Sequence, residues 1–328
     1  MPIAAIFVVL GALALAPQSL SSSAPKPPKV GLADQLGASF ADSRLTALPV
    51  RHARLSVPWD AMRYRWQRQE IEYWMQTTSA AQMAPVVTFG RSRTRPFSLP
   101  PPLEYRSQVR RFMRRFRTVR EYSPWNEPNL AINPVNSNPR RIATYYRTLR
   151  ALCPSCRVMG ADVVDNSSLG RWMSAYLRAF APGSAPRLWG LHNYVDVNSS
   201  SDWGTRTMLR LAPGEIWFTE TGAIVDRDKP SKTVKGDRRL LIRTGLRRAR
   251  AATKRVFALA RLSPRIRRVY IYHWQASKRS SWDSGLVSEE GTLRPSFNVF
   301  ARQARLAAGP AEPPPEPPAE QPAATPPA

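Results

Sequence analysis

The sequence predicts an α/β fold, a single (β/α)8 TIM barrel, on three observations. Eight short apolar runs alternate with longer segments of helical period across residues 30–308, a span of about 280 residues that suits this barrel. No Gly-x-Gly-x-x-Gly follows the first run, which counts against a doubly wound dinucleotide-binding sheet. Several runs also end in residues that carry chemistry, at the strand-to-loop junctions where such barrels gather their reactive groups.

In chain order the strands read as residues 30–33, 51–57, 84–89, 120–125, 158–164, 188–194, 216–219 and 268–273. They are short apolar runs, the pattern of strands buried on both faces. Between them, residues 67–81, 105–118, 140–152, 169–180 and 239–261 repeat apolar side chains at steps of three and four, as amphipathic helices do. A last helix near 296–307 closes the barrel. With 43% hydrophobic residues the chain can build one sizeable core.

The ends differ in kind from this middle. Residues 1–24 hold an apolar run too short to span a bilayer comfortably, followed by Pro17 and serines. They are expected to be a secretory signal peptide or an N-terminal anchor. No Lys or Arg precedes the apolar run, so both stay open, and both place the folded part outside the cytoplasm. Residues 25–29 read as a linker, and 309–328 as a Pro-rich disordered tail.

Cys153 and Cys156 stand in a Cys-Pro-Ser-Cys step between a helix and a strand. In an exported chain a local disulfide is expected. Only His52, His192 and His273 are available as histidine ligands, none at metal-site spacing from the pair, so no metal and no cofactor is expected. Net charge is +26, mostly from arginines on helices. The charge fits a solvated outer face and permits contact with anionic envelope polymers. No zinc finger, Arg-Gly segment or RNP-like strand accompanies it, so no specific nucleic acid is expected.

Two runs end in single glutamates: Trp125-Asn126-Glu127-Pro128, and Trp217-Phe218-Thr219-Glu220-Thr221-Gly222. An ionised carboxylate is seldom left beside apolar strands unless something there needs it. Each alone is also explained by a helix cap or an arginine partner. Together they suit the cleavage of an acetal between sugars, where one carboxyl protonates the leaving oxygen and another meets the developing oxocarbenium ion.

These motifs resemble the clan A glycoside hydrolases, retaining enzymes on a (β/α)8 barrel. That resemblance spans the barrel and implies roles residue by residue. Glu127 becomes the acid/base after strand four, Asn126 the partner of the sugar 2-hydroxyl, and Glu220 the nucleophile after strand seven. Arg54, in His52-Ala53-Arg54-Leu55-Ser56, resembles the strand-two arginine that bonds the nucleophile. His192 and Tyr194, in Leu191-His192-Asn193-Tyr194, resemble the strand-six pair that positions substrate and nucleophile. Trp274, in Tyr272-His273-Trp274-Gln275, resembles the aromatic floor of the subsite under attack.

Trp59, Trp203 and Trp282 are further candidates to stack on sugar rings. The loop Arg91-Ser92-Arg93-Thr94-Arg95 departs from the resemblance, being basic where neutral or aromatic groups are usual. It reads as a solvated loop or as a carboxylate-binding one. The expected function is a secreted retaining glycosidase, monomeric, acting on a β-glycan. The alternative is a silent barrel that binds carbohydrate or polyanion at the cell envelope.

Overall fold

The computed structural model describes residues 26–227, 245–277 and 282–309. The first half runs β1 (Lys29–Ala33), α1 (Ser43–Thr46), β2 (His52–Pro58), α2 (Arg65–Ala80), β3 (Ala84–Gly90), α3 (Pro102–Arg115), β4 (Glu121–Ser123) and α4 (Pro139–Leu152). The middle runs β5 (Arg157–Val158), β6 (Asp162–Val164), α5 (Leu169–Leu177), β7 (Leu188–His192), α6 (Tyr194–Asn198), α7 (Trp203–Leu211) and β8 (Glu215–Thr221). It ends with β9 (Asp226–Arg227), α8 (Leu246–Ala260), β10 (Ile266–Tyr272), β11 (Trp282–Asp283) and α9 (Pro295–Ala308).

Nine of the described strands form one parallel sheet in the order β5-β4-β3-β2-β1-β10-β8-β7-β6. The two ends of that order are neighbours in the chain. Between them the Met159 N–H donates to Tyr122 O on one side, and the Gly160 N–H to Leu188 O on the other, each at 2.8 Å. A parallel bridge from Asn126 to Asp162 closes the ring. The sheet is thus a (β/α)8 barrel whose fifth strand, expected as one run over 158–164, is split into β5 and β6. The split arises because residues 159 and 160 hand their hydrogen bonds from one neighbour to the other.

Strand alternation separates two cores. Ala33, Val86, Met159, Leu188, Trp217 and Tyr270 pack together in a small cluster contributed by strands all round the sheet. Next to it Arg268 bonds Glu121 at 2.6 and 2.8 Å and lies 3.9 Å over the Trp217 ring, so a charged pair and an aromatic plug this part of the barrel. The larger cluster lies between sheet and helices. In α3, started by Pro102 in its first turn, Tyr105, Gln108, Val109 and Phe112 are buried while Arg106, Arg110, Arg111, Arg114 and Arg115 face out. Burying such a valine or phenylalanine stabilises by roughly 1.5–3 kcal/mol. Much of the positive charge is therefore a solvated face here, as its spacing suggests.

Helix 239–261 begins in the described chain at Leu246; residues 228–244 lie outside the described residues, as do 1–25 and the tail from 310. Lys29, the last residue of the expected linker 25–29, is the first residue of β1 and pairs with Arg268. Cys153 and Cys156 form a disulfide with a Cα–Cα distance of 5.3 Å. It ties the end of α4 to the start of β5.

Candidate active site

Glu220 owes its direction to a bulge. Opposite β10, Phe218 pairs with Val269 and Thr221 with Ile271, so β8 carries one extra residue between those points. An extra residue breaks the alternation of side chains. Thr219 and Glu220 thereby both turn inward: Thr219 Oγ1 donates to Asp162 Oδ1, and Glu220 reaches Arg54. Arg54 Nη1 donates to Glu220 Oε2 at 2.7 Å, and Tyr194 OH donates to Oε1 at 3.1 Å.

Glu127 stands just past β4 with a left-handed backbone, φ 50°, an unusual state for a residue that precedes proline. Hydrogen bonds hold it there. Its N–H donates to Asp162 O at 2.8 Å, and its own carbonyl accepts from Asn133 Nδ2 at 2.8 Å and from the Leu130 N–H at 3.0 Å. Asn129 laces the same loop to β6, donating from Nδ2 to Val164 O and accepting from the Val164 N–H. Asn126 Oδ1 accepts from Arg54 Nη2 at 2.6 Å, which leaves its Nδ2 as the donor to the cleft.

Behind the two glutamates lies a buried set of charges. Arg54, Asp162 and His192 are fully buried. Arg54 Nη2 also donates to Asp162 Oδ2 at 2.7 Å. His192 lies between two carboxylates, its Nδ1 2.9 Å from Glu127 Oε1 and its Nε2 3.2 Å from Asp162 Oδ1. Gly190 is required beside them, since a Cβ there would collide with Asp162 Oδ1.

The electrostatics follow from this enclosure. Burial opposes the Arg54 charge, but Asp162 and Glu220 outweigh it and hold the guanidinium firmly protonated. Burial likewise opposes ionisation of Asp162, and Arg54 and His192 overcome it, taking that carboxyl well below its usual range. His192 is raised to about 10: burial works against its cation, and Asp162 and Glu220 override it. Tyr194 is pushed well up by burial and then by Glu220, so it stays a donor.

The structure therefore gathers Glu127, Glu220, Arg54, Asn126, His192 and Tyr194 at one end of the barrel. Trp274 is not with them. Only 1% exposed, it donates its backbone N–H to Asp34 and its Nε1–H to Asp42, and packs edge-on to Phe297. The chain leaves β10 at Tyr272, so the residue that lines the cleft beside Glu220 is Tyr272. Trp59 is buried beneath Arg63 and Arg95, Trp203 is partly exposed on α7, and Trp282 stands edge-on to Tyr194. None of the three is among the cleft-lining residues.

That cleft has a volume of about 620 Å³ and is also lined by Arg91, Arg93, Phe97 and Ile132. Phe97 is 77% exposed, a ring open to stack. In the basic loop, Arg93 bonds Glu70 at 2.6 Å, and Arg95 lies 3.4 Å from Glu104 and 3.6 Å from Asp60. Single ligand atoms of Glu127, His192 and Glu220 lie within 4.8 Å of one another, a spacing that suits a cation. Here His192 itself bonds Glu127, and Arg54 bonds Glu220, so positive groups already serve these carboxylates.

Asp162 was not singled out by sequence reasoning. The signal existed, since a carboxylate inside the run Ala161-Asp162-Val163-Val164 is as unusual as Glu127 or Glu220.

No family model matches the chain, and no curated protein matches it. Solved structures do. A family 39 glycoside hydrolase from the gut symbiont Bacteroides cellulosilyticus aligns with TM-score 0.57 and 15% identity, over 85% of this chain and 64% of that one. The β-glucosidase of Thermotoga maritima in complex with deoxynojirimycin aligns with TM-score 0.58 and 11% identity, over 86% of this chain and 99% of that one. A family 5 glycoside hydrolase from Bifidobacterium longum in complex with Manβ1-4GlcNAc aligns with TM-score 0.55 and 11% identity, over 84% and 78%. The fold is the barrel of these glycoside hydrolases, as the sequence resemblance implies. This chain spans about two thirds of the family 39 protein's length, 64%.

Proposed function

We propose that this protein is a retaining glycoside hydrolase, exported from the cytoplasm, that cleaves β-glycosidic bonds in an oligo- or polysaccharide. The observation that carries this reading is the approach of the Glu127 and Glu220 carboxylates, whose nearest oxygens lie within 4.8 Å across the cleft. Retaining enzymes hold their carboxyls at about 5–5.5 Å, whereas inverting ones leave about 6.5–9.5 Å for a water. Likeness of fold to glycosidases adds support, at 11–16% identity.

In this reading a Glu220 oxygen attacks the anomeric carbon, and Glu127 gives its proton to the departing glycosidic oxygen. Water then attacks the glycosyl–enzyme ester with Glu127 as base, releasing sugar of unchanged configuration and restoring both groups. Arg54 and Tyr194 hold Glu220 in line, and Asn126 Nδ2 meets the sugar 2-hydroxyl. Tyr272 walls the subsite. The cleft continues past the carboxylates to Phe97 and Ile132, which suits a substrate longer than one sugar.

The test is an activity screen against defined β-glucans, mannans, xylans and galactans, with the first-formed anomer read by NMR. The reading predicts a β product from a β substrate. An α product, or binding of polyanions that weakens steeply with salt and no cleavage of any glycan, would overturn it.

A further inference from the structure

We propose that Asp162 is a positioning residue which holds the His192 ring as a cation, with Nδ1–H aimed at Glu127, so that a fixed positive charge stands beside the acid/base carboxylate. The argument is a count of hydrogens. Arg54 Nη2 has two, and it gives them to Asn126 Oδ1 at 2.6 Å and to Asp162 Oδ2 at 2.7 Å. Its 3.1 Å approach to His192 Nε2 is a third and longer contact on a nitrogen with two hydrogens. A proton on Nε2 suits its 3.2 Å approach to Asp162 Oδ1, where two lone pairs would otherwise meet in a buried space.

With Nε2 protonated, Nδ1 faces Glu127 Oε1 at 2.9 Å. Whenever Glu127 is a carboxylate, this contact also needs a hydrogen on the ring nitrogen, and the ring is then an imidazolium. Charge balance agrees. Around His192 stand Glu127 from the end of β4, Asp162 from β6, Glu220 from β8 and Arg54 from β2. Even with Glu127 carrying the proton it donates, a neutral ring would leave two carboxylates, Asp162 and Glu220, against one guanidinium. The raised basicity of His192 has the same origin, Asp162 being the largest favourable influence on it.

Asp162 is built for this task rather than placed by chance. Its Oδ1 accepts from Thr219, turned inward by the bulge in β8, and its Oδ2 accepts from Arg54. Gly190 leaves the room that Oδ1 occupies. The consequence for the reaction is electrostatic: a cation already in place stabilises the carboxylate that forms when Glu127 gives up its proton, with no reorganisation at that moment. This consequence rests on the glycosidase reading, but the charge on His192 does not.

The test needs no turnover, so failure of the glycosidase reading would show separately. The full chain has three histidines; burial lowers His52 to about 3 and also lowers His273. With nitrogen-15-labelled histidine, one ring, His192, should carry protons on both nitrogens at about pH 8, above the ordinary histidine value of about 6.5. A neutral His192 ring at that pH would overturn the proposal. In Asp162→Asn the His192 midpoint should fall by at least about two pH units, and an unchanged midpoint would overturn it. Should that variant not fold, Glu127→Gln decides: His192 stays cationic if Asp162 holds the charge, and turns neutral if Glu127 does.

Discussion

Glu127 and Asp162 are joined twice, once by backbone and once by side chain. The Glu127 N–H donates to the Asp162 carbonyl at 2.8 Å, and His192 stands between the two carboxylates at 2.9 and 3.2 Å. This is also where the barrel closes, through the bridge from Asn126 to Asp162. The same contacts that shut the sheet thus hold the left-handed Glu127 backbone, at a cost of order 1–3 kcal/mol that the surrounding bonds offset.

Removing Glu220, the nucleophile of the proposed mechanism, gives the first prediction. Glu220→Gly should reduce turnover to background, and azide should restore it, filling the vacated space and yielding an α-glycosyl azide from a β substrate. Glu127→Ala should lose about 10²–10⁴-fold on substrates with poor leaving groups and far less on activated aryl glycosides. Steady-state kinetics and NMR of the azide product check both. If azide rescued Glu220→Gly with a β product, the two roles would have to be exchanged.

A second prediction separates the two aromatics near the end of β10. Tyr272→Ala should lower kcat/KM by about 2–10-fold or more, the range of one aromatic contact, while folding stays intact. Trp274→Phe should leave KM unchanged and cost about 1–2 kcal/mol of stability, since it strips the Nε1–H from Asp42 and loosens the contact with Phe297. Kinetics with denaturant titration reads both. A large KM effect from Trp274→Phe would return that residue to the substrate.

Much of this site was legible in the sequence because its residues end apolar runs, and strand ends can be located by period. Glu127, Asn126, Arg54 and His192 all announce themselves in that way. Trp274 is the exception. It has the same parity as Tyr270 and Tyr272, so alternation alone turns it inward; what parity does not reveal is that β10 ends at Tyr272 and that Asp34 then captures the next turn of chain. Glu220 shows the opposite case. Strict alternation would have faced it away from Thr219, and only the bulge, which depends on pairing with β10, brings both inside. The broken fifth strand was hidden for the same reason, because it depends on which neighbours receive each hydrogen bond.

Arg54 carries a third prediction, about stability. It and Asp162 are an ion pair fully out of solvent, and cutting one partner from such a pair typically costs about 3–5 kcal/mol, because the other charge stays buried without its counterion. Arg54→Ala should lose that much in urea unfolding. Arg54→Lys should recover little, since one ammonium cannot reproduce a planar fork that serves Glu220 through Nη1 and Asn126 and Asp162 through Nη2. A cost below about 1 kcal/mol for Arg54→Ala would mean that the pair adds nothing to folding.

A second buried carboxyl, Asp165, gives a pH-dependent prediction of opposite sign to Asp162. It accepts from the N–H groups of Val195 and Asp196 at the start of α6, yet burial, followed by the nearby charge of Asp196, raises it to about 8. The unfolded chain would ionise it near the ordinary value of about 3.9. A group whose folded value is raised contributes stability that is fully present below the unfolded value and is lost as pH climbs through the folded one. Wild-type stability should therefore decline between about pH 4 and pH 8 by an amount that Asp165→Asn does not share. Titrations of groups remote from Asp165 are common to both proteins and cancel in the difference, so the informative quantity is the gap between their unfolding free energies at each pH. That gap should move by a few kcal/mol in favour of the variant over this window and be flat above it. A gap independent of pH would mean that Asp165 stays ionised at neutral pH, with the N–H groups of Val195 and Asp196 outweighing its burial.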